Sequence, residues 1–77
     1  MNIKEENYLG DKMSFLLEAL IKKLEGDMHV AQANIMVYVK NASGIGEHTD
    51  IVESIEKEVA KLADAADKIE AIKTYCK

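Results

Sequence analysis

Two histidines, one cysteine and a pair of loop glycines are the residues of this 77-residue chain whose types could do chemistry. Glu25 and His29 stand four apart, which places both on one face of a helix, as two metal ligands would be. No third ligand accompanies them at a suitable spacing, and charged helices carry such pairs without any metal. His48 follows Glu47, but a general base there would need a nucleophile or a second acid nearby. The sequence supplies neither, so helix capping is the expectation. Gly44-Ile45-Gly46 has the outline of a phosphate-cradling loop, yet it lacks the preceding strand and the following Lys-Ser/Thr. A turn whose Ile45 covers the end of a helix bundle is expected instead. Cys76 has no activating partner in the sequence, and a lone cysteine cannot close an intrachain disulfide. Met13, Met28 and Met36 lie on or beside an apolar stripe, where core filling accounts for them. The expectation is therefore no catalytic residue, no metal ligand set and no cofactor.

The elements that would position these residues are helical. Val52, Ile55, Val59, Leu62, Ala66 and Ile69 step by three and four, which marks one seam of a helix over 50–75. Asp50 with Glu53 three residues later reads as an N-cap and its capping-box partner. Glu53–Lys57 and Asp64–Lys68 pair at i, i+4. Ala60, Ala63, Ala65 and Ala66 keep the middle of this helix thin. Upstream, Met13, Leu17, Leu20, Leu24, Met28, Ala31, Ile35 and Tyr38 recur at close to 3.6 residues, predicting a helix over 12–40. Its opposite face carries Glu18, Lys22, Glu25, His29 and Gln32, with Glu18 and Lys22 as a favourable pair. Gly26–Asp27 is a break signal, and Ile35-Met36-Val37-Tyr38-Val39 is rich in strand-formers. The alternative is therefore a strand over Met28–Lys40, which could pair only across a dimer. The stripe continues in phase through Gly26, which favours one helix. Residues 1–10 read as a flexible arm, 11–77 as one helical-hairpin domain, and 41–49 as its loop.

Composition narrows the function. The net charge is −4, and its signs alternate without a basic face, which argues against nucleic acid as a partner. All ten basic residues are lysines, so no bidentate arginine clamp for phosphate or carboxylate exists. No apolar run approaches the ~20 residues of a membrane span, and no signal peptide is apparent. A cytoplasmic protein that does not enter membranes is expected. The seams as read carry no Lys or Glu, whereas a small helical enzyme would place charge there; the expectation is that the chain is not an enzyme.

Two stretches, SFLLEALIKKLEGD from Ser14 and GIGEHTDIVESIEKEVAKLADAADKIE from Gly44, resemble a group of small uncharacterised proteins of T4-like marine cyanophages. The resemblance covers Ser14 to Ile72 and carries no catalytic motif. It implies a phage accessory protein acting in an infected bacterium.

The fold expected is all-α: an antiparallel two-helix hairpin, dimerising into a four-helix bundle. The first helix has more apolar surface than the second can cover, chiefly Leu16, Ile21, Met36, Val37 and Val39, which form the candidate interface. A homodimer or larger homo-oligomer is the first expectation and a foreign protein partner the second. The function expected is interaction, with a structural or assembly role as the alternative.

Overall fold

The computed structural model describes residues 8–41 and 48–76, with side chains at 14–41 and 50–76. Among them the chain is two helices, α1 (Tyr8–Asn41) and α2 (His48–Tyr75), of 34 and 28 residues, and no strand. Residues 8–10, expected in the arm, are helical; Gly10 weakens a helix without ending it. The rest of the arm and residues 42–47 of the expected loop, including Gly44-Ile45-Gly46 and Glu47, lie outside the described residues.

The stretch Met28–Lys40 is helical throughout, so the strand alternative is not what forms. Its residues Met28, Ala31, Ile35 and Tyr38 keep the phase of Leu17, Ile21 and Leu24. All seven are buried or half-buried. A strand would have discarded that shared face and found no partner within the chain. Gly26 sits exposed inside α1, with open space where a Cβ would be.

α2 answers with Ile51, Ile55, Glu58, Leu62, Ala65, Ile69 and Ile72, again all buried or half-buried. Both rows step alternately by four and three, the 3.5-residue period of helices that pack side by side as coiled coils do. Asn34 of α1 meets Glu58 of α2, and Asp27, one heptad earlier in α1, lies near Lys68, ten residues later in α2. Moving backward along one helix moves forward along the other, so the hairpin is antiparallel.

The seam of α2 corrects the sequence expectation at alternate positions. Ile55, Leu62 and Ile69 lie on it, but Val52, Val59 and Ala66 are exposed and Ile51, Glu58 and Ala65 take their places. On α1, Leu20 was expected in the core and is 42% exposed. Hydrophobicity alone prefers Val59 to Glu58; Asn34, opposite, supplies the partner that lets a glutamate occupy the seam. Asp50 lies in the first turn of α2 instead of capping it, where its charge still meets the positive end of the helix dipole.

The hairpin is one layer. Its dimensions are 62 × 22 × 11 Å and its radius of gyration is 18.2 Å, against about 11.5 Å for a compact chain of this length. Only Leu24, Ala31, Ile51 and Ala65 are buried apolar residues among those described. The chain exposes 6284 Å², whereas a compact monomer of 8.6 kDa exposes about 4,700 Å².

Candidate functional site

Midway along the seam Glu58 is 7% exposed. Asn34 Nδ2 donates to its Oε1 at 3.1 Å, and Lys61 Nζ donates to its Oε2 at 3.2 Å. The hydrogen bonds from Asn34 and from Lys61 hold the carboxyl below its ordinary range, against a partial desolvation that acts the other way. The expectation that the seams carry no acid therefore fails at this position. The chemistry open to Glu58 is restricted by the same geometry. A general base gains from a raised pKa near the working pH, whereas this carboxylate is held ionised with one hydrogen bond on each oxygen. Its physical effect is on register: sliding α2 by one turn would leave Glu58 and Asn34 facing apolar neighbours.

Small residues next to this cluster open a groove. Leu24, Ala31 and Ala65 line its floor and Val30 one wall, enclosing about 280 Å³. Its rims are charged and paired. Lys23 bonds Asp27 at 2.8 Å, Lys68 bonds Asp64 at 2.9 Å, and Lys61 bonds Glu58. Asp64, by hydrogen bond and by charge, holds the Lys68 ammonium above its usual range, and Asp27 across the groove adds to this. Of the pairs read from sequence, Asp64–Lys68 forms; Glu18–Lys22 and Glu53–Lys57 are not among the ion pairs of the described residues.

The groove defines the two broad faces of the hairpin. Lys23, Asp27 and Val30 of α1 share one flank of the seam with Lys61, Asp64 and Lys68 of α2. Heptad steps from these add Leu16, Leu20 and Val37 of α1 and Tyr75 of α2 to that ion-pair face. The other flank carries Phe15, Met36 and Val39 of α1 and Val52, Val59, Ala63 and Ala66 of α2, all exposed. Asn34 opposite Glu58 sets Val39 level with Val52 and Met36 between Val52 and Val59. These four apolar side chains, drawn from both helices, lie on what is here termed the valine face. Glu56, one heptad before Ala63 and level with Met36, and Glu25, two heptads before Val39, lie there too.

The candidate interface residues divide accordingly. Leu16 and Val37 lie on the ion-pair face, Met36 and Val39 on the valine face, and Ile21 is half-buried in the hairpin seam. Val52 and Val59 were missed as surface residues because their spacing also fits a seam. Glu25 and His29 are both exposed, and no group of three or more His, Cys, Asp or Glu among the described residues could hold a metal ion. The side chain of His48 lies outside the described residues, and Cys76 is exposed and free. No helix among the described residues is long and apolar enough to cross a membrane. The chain matches no protein-family model, no curated protein and no solved structure.

Proposed function

We propose that this protein works by interaction: a small, self-associating helical hairpin whose exposed faces bind copies of itself and another protein. The observation that supports the reading is the exposed apolar stripe beside a seam that is already filled. A single layer of two helices covers one stripe on each helix, and here Val52, Val59, Met36 and Val39 remain uncovered. Two such hairpins face to face make a four-helix bundle, which would cover them. Glu58 supports a non-enzymatic role, because its carboxylate is engaged by Asn34 and Lys61 and has no companion acid on the seam.

The resemblance to cyanophage proteins directs the setting: a phage accessory factor in the cytoplasm of an infected bacterium, binding a host or phage protein. The alternative is a structural or assembly component with no separate partner. A tagged chain expressed during infection tests this. Recovery of a defined host protein, lost when Val37 or Leu16 is changed to Asp, is the expected result. Incorporation into the particle with no host protein bound would favour the assembly role.

A further inference from the structure

We infer that the valine face is the surface on which a second copy of this chain docks, about a two-fold axis parallel to the long axis of the hairpin. This rests on the self-association proposed above and specifies its face and register. The two flanks differ in whether their charges are already paired within the hairpin. On the ion-pair face, the exposed apolar residues, all but Tyr75 from α1, are interleaved with Lys23–Asp27, Lys61–Glu58 and Lys68–Asp64. Covering them would strip water from three formed pairs. On the valine face both helices contribute, with Met36 and Val39 level with Val52 and Val59.

Charge complementarity selects a second copy as the occupant. Lys22 lies two heptads before Met36, and Glu18 three heptads before Val39, so both belong to the valine face. Glu70 and Lys73 belong there too, each one heptad after Ala63 and Ala66. Lys22 and Glu70 are equally distant from the Asn34–Glu58 contact along their helices, which sets them level. Glu18 and Lys73 are level to within about one residue. A two-fold copy lays α1 over the partner's α2, so Lys22 meets the opposing Glu70 and Glu18 meets the opposing Lys73. Glu25, level with Ala66 to within about one residue, and Glu56, level with Met36, lie at the rim of the contact. None of the four residues Lys22, Glu70, Glu18 and Lys73 takes part in an ion pair within the hairpin among the described residues; Glu70 accepts a hydrogen bond from Thr74 Oγ1 at 3.2 Å.

Sedimentation equilibrium at low micromolar concentration tests the face, on the native chain, Val59→Asp and Val37→Asp. The native chain and Val37→Asp should sediment at twice 8.6 kDa, and Val59→Asp should dissociate at least tenfold more readily, with its helix content checked by circular dichroism. A native dimer that Val59→Asp leaves intact overturns the face and leaves self-association standing; a monomeric native chain overturns both. Should Val59→Asp unfold, cross-linking decides the matter. Chains carrying Lys22→Cys and chains carrying Glu70→Cys, each with Cys76→Ser, are mixed and oxidised. A mixed disulfide dimer is expected, and its absence overturns the register.

Discussion

The two flanks of the hairpin seam carry similar sets of exposed Leu, Val and Met, yet they differ in what stands between them. On one flank, lysines and aspartates have already paired with each other, and the apolar side chains sit among them as isolated points. On the other, Val52 and Val59 of α2 stand beside Met36 and Val39 of α1, and the charged residues around them take part in no ion pair among the described residues. Exposed apolar area alone would not separate the two. What separates them is whether the charges that covering would desolvate are already paired within the hairpin.

The largest effect sharpens the contrast between seam and flank. Leu24 is 4% exposed, and Leu24→Ala should cost about 2–5 kcal/mol in denaturant titrations. Val30, six residues later on the ion-pair face, is 62% exposed, and Val30→Ala should stay within about 0.5 kcal/mol. Equal losses at the two positions would mean that this flank is covered in solution, and the distinction drawn between the faces would break.

An intermediate effect concerns Glu58. Its folded pKa lies below the ordinary 4.5, so the stability it contributes is present above that value and is lost as pH falls through the lower, folded one. Glu58→Gln should therefore melt below the native chain at neutral pH, and the gap should close in acid. A gap that is constant from pH 7 to pH 3 would mean the carboxylate is not held ionised by Asn34 and Lys61.

The smallest effect is at Gly26, inside α1 with nothing within 4 Å of a built Cβ. Gly26→Ala should stabilise by about 0.5–1 kcal/mol, a rise of a few degrees in a melt. Destabilisation would place a partner against that part of α1.

The helices themselves were legible from periodicity, because fourteen seam positions and the absence of proline point the same way. The register of α2 was not. Ile55, Leu62 and Ile69 belong to two possible seams, and only the three-dimensional position of Asn34 shows that the seam through Glu58 is the one α1 uses. The same ambiguity hid the valine face: Val52, Val59 and Ala66 looked like core because they fit a seam, but α1 covers the seam through Glu58 and leaves them exposed. Among the interface candidates, Ile21 was misleading since its four- and three-residue neighbours Leu17 and Leu24 both lie on the seam facing α2. The signal that could have flagged Glu58 was Asn34, a polar residue one position before Ile35 on an otherwise apolar stretch.

A one-layer hairpin with four buried apolar residues among those described should owe much of its stability to a second copy, so folding and association should form one equilibrium. Thermal melts followed by circular dichroism over a hundredfold range of protein concentration test this directly. The midpoint should rise by several degrees from the most dilute sample to the most concentrated. A midpoint that does not move, with full helix content retained at the lowest concentration, would show a hairpin stable alone and contradict the account.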